Sequence, residues 1–484
     1  MRLRRPLRML KRASAALTAA PTGQAPDVRQ AQRAAEHLAR LVRIPTVTPP
    51  PGPLSKSDAA LFAAYREELE ALYPRVFAAA EVETTGRAGL LLRVPGQFAE
   101  RPVLLMAHQD VVPVPVDWAA EGWEHPPFDG VIAGGRVHGR GTLDDKGAMV
   151  VALEALESLL TDGWSPLRDL YLFFGGDEES HGAAAVEAVR LLEERGVEPW
   201  MVLDEGGAVA TQAFPTLRRP MAVIGASEKG MMTLRLAVES LGGHASTPPR
   251  QSAPGILAHA LVAIEDKPFP TAVHDVTIEM LEGVAPHVAR PMRALLKRAG
   301  RRRSLLGRVV PRLGPELAAM VRTTAAITQL EGSPAQNVLA TRATAVINVR
   351  VAVGSTCDEA VAHLRAAIDD PRVDLEILEA SEPSPVSPTG DDARWRALGA
   401  AVSASYPDAV TVPYIMLAAS DARHVARISP AVYRFSPLAM NKAQREAIHG
   451  PNESVEISAL GAGVTFYRAL LTGDALGPSD PAAS

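Results

Sequence analysis

A single cysteine, Cys357, in a chain of 484 residues excludes an intramolecular disulfide and fits a reducing compartment. No apolar run reaches the length of a membrane span, so no transmembrane helix is expected. Positive charge is not in excess: 50 Lys and Arg against 55 Asp and Glu leave a formal net charge of −5, which argues against nucleic acid as a main partner. The chain also lacks a G-x-S-x-G elbow, a Walker-type phosphate loop and a Rossmann G-x-G-x-x-G, and shows no internal repeat or coiled-coil heptad. What is present is ordinary globular composition, 47% apolar and 22% charged, at a length that predicts two or more domains.

The ends differ from the middle. MRLRRPLRMLKR carries six basic residues and is followed by a small, weakly apolar stretch, too poor a hydrophobic core for a signal peptide. Residues 1–26 are expected to be a basic disordered tail on a cytoplasmic protein, with secretion as the minority alternative, and residues 475–484 a second tail.

Chemistry concentrates at five places. In VLLMAHQDVVPV, Val103 to Ala107 reads as a buried strand, after which His108 and Asp110 project to the same side, so one can ligate while the other orients it. GRGTLDDKGAMV puts Asp144 and Asp145 in a glycine-rich turn before a helix over Ala148 to Leu160; taken alone, a helix cap is the better explanation of those acids. The strand Asp169 to Phe174 opens into GGDEESHG. There the adjacent Glu178 and Glu179 leave the backbone in opposite directions, one to bind a cation and the other to act as a general base. MVLDEGGAV ends a short strand at Asp204 and Glu205, and AIHGPNESV places His449 on a turn ahead of Glu453. Any one of these has a structural explanation; acids and imidazoles closing four strand-like segments are a joint signal for a paired-cation site in a sheet crevice.

In order and flanking residues these motifs resemble the zinc-dependent aminoacylase, carboxypeptidase and desuccinylase family, over about Asp27 to Leu471; VLDEGG, the ASDARH segment at Ser420 to His424 and a stretch at about 268–324 that smaller members lack resemble its carboxypeptidase S and N-acyl-amino-acid hydrolase branch. The resemblance implies two zinc ions, with cobalt or manganese as substitutes. His108, Asp144 and Asp204 would hold one, and Asp144, Glu179 and His449 the other, with Asp144 bridging. It further implies a cis peptide between Asp144 and Asp145, Asp110 orienting His108, and Glu178 as the base toward a water that attacks an amide carbonyl. His244 in GGHASTPP would stabilise the oxyanion, across a dimer interface in some members. Asn337 in SPAQNVLA and Arg350 in INVRV would bind substrate, the guanidinium gripping a free carboxylate through paired hydrogen bonds. The turn and strand-surface explanations of His244, Asn337 and Arg350 stay open.

The expected fold is α/β. A large catalytic domain (residues 27–228 and 381–474) has a mostly parallel central sheet flanked by helices, and a smaller α/β-sandwich lid of the dimerisation type (229–380) is inserted into it. A stretch at about 268–324 is inserted in turn within the lid, and nine basic residues from Arg290 to Arg312 interleave there with Leu295, Leu296, Leu305, Leu306, Val309 and Val310. A helical hairpin packing its apolar face on the lid is the first expectation; contact with a membrane surface or an entrance for a long acyl chain is the alternative. The substrate is expected to be an N-acyl amino acid or short peptide, the protein a monomer or a homodimer through the lid. A dipeptidase of the same family and a catalytically silent binding protein docking through the basic insert are the competing readings. Asp421, Arg423, His125, His138 and His181 are candidates for lining the cleft, and Cys357, at an expected helix start, for packing.

Overall fold

The computed structural model of the chain describes residues 27–50, 52–180, 182–214, 216–312 and 314–473; both terminal tails and His181 lie outside them. The sequence pattern explains the central elements directly. Along the strand Phe98–His108, Val103, Leu105 and Ala107 enter one apolar cluster and Leu104 and Met106 another, so alternate residues feed cores on both faces of the sheet. Arg168–Gly175 behaves the same way, with Leu170, Leu172 and Phe174 on one side and Tyr171 and Phe173 on the other.

These two strands run parallel with Met201–Asp204 and Val432–Arg434 at the centre of a ten-stranded sheet, whose flanking strands are mixed in direction. The buried helix Lys146–Thr161 covers one face together with Val28–Val42 and Ile457–Thr472, and Ala183–Glu194 covers the other. From Phe98–His108 the chain passes to Arg168–Gly175 on one side and then to Met201–Asp204 on the opposite side. That reversal makes the carboxyl end of Phe98–His108 a topological switch point, where open α/β sheets form their ligand crevice.

A second, four-stranded antiparallel sheet is built from Thr324–Glu331, Arg342–Val351, Gly230–Glu239 and Asp374–Ser381. Met232, Leu234, Leu236, Ile347, Val349 and Val351 meet the helices Ala253–Asp266 and Cys357–Ile368 on one face. Cys357 belongs to this core, and burial, with Glu382 nearby, pushes its thiol up to about 11, so it packs and is a poor nucleophile. With the core side taken by the odd positions of Arg342–Val351, Asn348 and Arg350 lie on the opposite face.

The stretch between Asp266 and Thr324 corrects the hairpin expectation. It folds as short helices (Asp275–Val284, Arg290–Leu296, Arg303–Val309 and Pro315–Ala319), and their apolar sides do not join the core of the four-stranded sheet. They pack instead with Phe214, Leu217 and Met221 and with Val410 and Val412 of the strand Val410–Met416, which among the described residues pairs only with Met221–Glu228 and so stands at the margin of the large sheet. An uncovered apolar flank there is a liability that the insert removes. Leu296, Leu306 and Val310 are thereby buried, although Leu305 stays exposed, so most of the apolar side is turned inward.

Candidate active site

The strands that lead to His108, Asp204 and the paired glutamates all end at the crevice. His108 is the last residue of its strand and Asp204 of its own; Glu178 and Glu179 follow Gly175 by three and four residues. Asp144 and Asp145, joined by a cis peptide bond, precede the helix that starts at Lys146. Asp145 occupies the cap position but makes no capping hydrogen bond; its Oδ2 accepts the backbone N–H of His108 at 3.3 Å, so the helix-cap explanation of this acid fails.

His108 Nε2 lies 3.0 Å from Asp144 Oδ1, and His449 Nε2 lies 3.0 Å from Asp144 Oδ2 and 3.0 Å from Glu179 Oε1. Among the described residues His108, Asp144 and Glu179 form a group whose ligand atoms all fall within 4.8 Å of one another. The two oxygens of one carboxylate therefore face two different imidazoles. Two ligands about 2.0–2.2 Å from one tetrahedral cation are roughly 3.3–3.6 Å apart, a few tenths of an ångström more than these separations. His449 holds φ at +61°, a value non-glycine residues seldom adopt and one that persists where the surroundings impose it.

Asp110 acts through two groups. Its backbone carbonyl lies 2.9 Å from His108 Nδ1, nearer than its carboxylate at 3.5 Å, so the main-chain oxygen is the better acceptor for that ring nitrogen. The carboxylate instead receives the backbone N–H of Glu178 (3.2 Å) and of Glu179 (3.1 Å), fixing the turn that carries both glutamates. Asp204 sits apart from the contacting group: its Oδ2 accepts the N–H of Ala422 at 2.8 Å, and no direct contact joins it to His108 or Asp144 among the described residues.

Electrostatically the crevice calls for cations. Burial lifts the carboxyls of Asp145, Glu178, Asp204, Glu205 and Asp421 above their ordinary range. Glu205 is also raised by Asp144, Asp145 and Glu178, so these acids crowd one space. Burial opposes charge on His108 and on Asp144 as well, but there the pairing wins: Asp110 and Asp144 hold His108 well above the usual imidazole range, and His108 and His449 hold Asp144 below the usual carboxylate range. Asp144 and Glu179 lift His449 to about 10. Both carboxylate oxygens of Asp421 are buried without a hydrogen-bond partner among the described residues. A cluster that draws protons onto its imidazoles and leaves buried acids unpaired is the donor set that divalent cations satisfy.

Glu453, passed over as a neighbour of His449, shapes the Asp144 turn. Its buried carboxylate receives Arg140 Nη1 at 2.7 Å and the backbone N–H groups of Gly141 (3.1 Å), Leu143 (2.8 Å) and Asp144 (3.3 Å). Arg350 is half-buried; its Nε donates to Asn348 Oδ1 at 3.1 Å, while Nη1 is buried with no partner among the described residues. Burial and the neighbouring Arg423 charge lower its pKa, which puts it near the segment carrying Asp421 and Ala422. His244 and Asn337 are exposed: His244 pairs with Val338 in a small two-stranded antiparallel sheet, Asn337 immediately precedes the second strand, and neither contacts the acid and imidazole group.

A cavity of about 980 Å³ adjoins the group. Asp144 and Glu205 line it, as do Phe214, Leu217 and Tyr414, and so do Met280, Leu317 and Met320 of the insert.

A match to the peptidase family M20/M25/M40 spans residues 104–473. The chain belongs to this family. The human "N-fatty-acyl-amino acid synthase/hydrolase PM20D1" is 34% identical over 442 residues, covering 90% of this chain and 86% of the relative. "Probable carboxypeptidase S-like 2" of Dictyostelium discoideum is 32% identical over 415 residues, covering 85% of this chain and 79% of the relative. Solved M20-type folds agree: the M20 metallo-carboxypeptidase Sso-CP2 of Sulfolobus solfataricus superimposes with TM-score 0.66 at 17% identity, covering 90% of this chain and 98% of that one. Human carnosine dipeptidase 1 gives 0.64 at 14%, covering 93% and 100%. This M20 protein is therefore a hydrolytic enzyme with a mixed α/β fold, and the resemblance drawn from its motifs, branch included, agrees with its relatives.

Proposed function

We propose that this M20 enzyme is a dinuclear zinc amidohydrolase that releases an amino acid with a free carboxylate from an N-acyl amino acid bearing a long apolar acyl group. The observation that carries the acyl preference is the cavity of about 980 Å³, because it shares Asp144 and Glu205 with the site and its apolar walls come partly from the insert. The names of the PM20D1 relatives point the same way.

His108, Asp144 and Asp204 would hold one cation, and Asp144, Glu179 and His449 the other. Two bound divalent ions would polarise the scissile carbonyl and acidify the attacking water. The protein's part follows from its contacts. With the Asp110 carbonyl accepting at Nδ1, the His108 proton stays on that nitrogen and Nε2 keeps its lone pair for a ligand role. Asp110 also fixes the backbone of Glu178, holding the base at one place. Glu178 takes a proton from water and returns it to the leaving nitrogen; burial raises its carboxyl, which makes it a competent acid in the second half of that exchange. Arg350 would grip the substrate carboxylate with its unpartnered Nη1. His244 would serve the oxyanion only if the lid of a second copy or a closing motion brought it to the site, since in this chain it is exposed on its two-stranded sheet.

The test is a kcat/KM series over N-acyl amino acids from acetyl to long saturated chains, beside a dipeptide panel, with metal content measured on the same sample. Rising efficiency with chain length supports the reading. Equal rates on acetyl and long-chain substrates would refute the apolar preference, a preference for dipeptides would favour the exopeptidase reading, and bound zinc without hydrolysis would favour the silent binding protein.

A further inference from the structure

Beside the large cavity lies a smaller one of about 30 Å³, lined by apolar side chains apart from Thr277, among them Leu295, Leu296 and Leu306 of the insert helices. Phe214, Met280, Leu317 and Met320 line both cavities. Side chains that face two spaces at once form the partition between them.

We infer that this partition is a chain-length ruler: Met280 and Met320 stop the far end of the acyl chain, and the apolar space behind them is reserve length that only longer chains enter by displacing the thioethers. The inference rests on the acyl-amino-acid reading and deepens it. Three features of the page support it. The smaller space offers almost no polar partner, so an aliphatic chain suits it and a peptide backbone, which needs its N–H and C=O groups paired, does not. Two of the four partition residues are methionines, unbranched and easily re-rotated, whereas Phe214 is stiff and supplies the fixed side of the opening. Met280 is buried in the insert core at 3% exposure, while Met320 only packs against that core from its margin, so Met320 is the residue that can move or be trimmed with least damage to the fold.

The experiment uses the full-length, zinc-loaded enzyme and the saturated acyl series of a single amino acid. In the parent protein kcat/KM should climb by about fourfold per added methylene until the chain meets the partition, and then level off or fall. Met320→Ala removes three heavy atoms beyond Cβ and should move that break to longer chains by about two to three carbons. Met320→Phe should move it the other way, and because it adds volume it serves where the smaller variant fails to fold. A parent break that neither variant moves would overturn the ruler while leaving the long-chain reading intact. A parent series with no dependence on length would overturn both. Displacement in opposite directions by the two variants would establish the partition as the determinant.

Discussion

Glu453 is the side chain on which the position of Asp144 depends, and its removal has a calculable outcome. Its carboxylate is fully buried, is paired with an Arg140 guanidinium that is itself 3% exposed, and accepts three consecutive-turn backbone N–H groups ending at Asp144. Glu453→Ala would leave a buried guanidinium with only the Gly450 carbonyl at 3.2 Å, and breaking such a pair costs about 3–5 kcal/mol. The orphaned N–H groups would each add about 1–3 kcal/mol if water could not reach them, and these terms overlap, so a total of about 5 kcal/mol is expected. Glu453→Gln is the sharper probe. One amide oxygen can keep the Leu143 and Asp144 bonds, but the amide nitrogen must then face two donors, Arg140 and the Gly141 N–H. That variant should lose about 3 kcal/mol in urea unfolding and, because the turn that presents Asp144 loosens, bind zinc about 10–100-fold more weakly in chelator competition. Adding Arg140→Met should recover part of the stability without restoring zinc affinity. A Glu453→Gln protein within 1 kcal/mol of the parent and within threefold of its zinc affinity would refute this account of the turn.

Other consequences are separable. Glu178→Gln should retain its metal content by elemental analysis yet lose about 10²–10⁴-fold in kcat, and in the parent enzyme kcat/KM should fall toward acid at a pH above the ordinary glutamic range, because burial raises this carboxyl and the base must be unprotonated to start. Arg350→Ala should raise KM by about 30-fold or more for substrates with a free carboxylate while leaving the poor hydrolysis of the corresponding carboxamides unchanged; an equal loss on both would remove Arg350 from carboxylate recognition. Lys229 donates to the carbonyls of Ala319 and Arg322, and burial, assisted by Arg350, depresses it from 10.5 to about 8. Between those values the unfolded chain binds the extra proton, so stability should rise with pH across about 8 to 10.5, by about 3 kcal/mol in all, and Lys229→Met should flatten that slope in urea titrations.

The grouping of the candidate residues was readable because several of them follow apolar strands. A run such as Val103 to Ala107 marks a two-sided buried strand, and an acid or imidazole placed at its end has few structural reasons to be there. What escaped depends on partners distant in the chain. Glu453 lies 310 residues from Leu143, and no local pattern announces that its carboxylate caps that turn. Asp110 carried the right kind of group but its nearer acceptor is the main-chain oxygen, which every residue possesses and no sequence displays. The insert was correctly seen to be amphipathic. Amphipathicity says that a face will be covered and is silent on what covers it, and here the margin strand Val410–Met416, far along the chain, is the partner in place of the lid.

The connection between the two sheets shows why a buried ion pair can be worth keeping where an apolar pair would be as stable. Only Lys229 separates the strand Met221–Glu228 of the large sheet from Gly230–Glu239 of the small one, and the chain returns beside it, with the Ser384 and Ser387 N–H groups donating to the Glu228 and Ala226 carbonyls at 3.1 and 2.7 Å. Arg434, with no exposed surface, donates to Glu228 Oε2 at 3.2 Å and to Ser384 Oγ at 3.0 Å, so one guanidinium holds both crossings. Glu228 also receives the Ser420 N–H at 3.2 Å, two residues before the Ala422 N–H that holds Asp204. The joint that orients the small sheet, and with it Arg350, is thus wired to the strand end that carries a candidate ligand. Arg434→Met alone should cost about 3–5 kcal/mol by stranding Glu228, whereas Arg434→Met with Glu228→Leu should recover most of that stability. If the joint sets the geometry of catalysis as well as the fold, the double variant will melt close to the parent temperature and still show a raised KM; parent-like kinetics in that protein would mean that the pair serves stability alone.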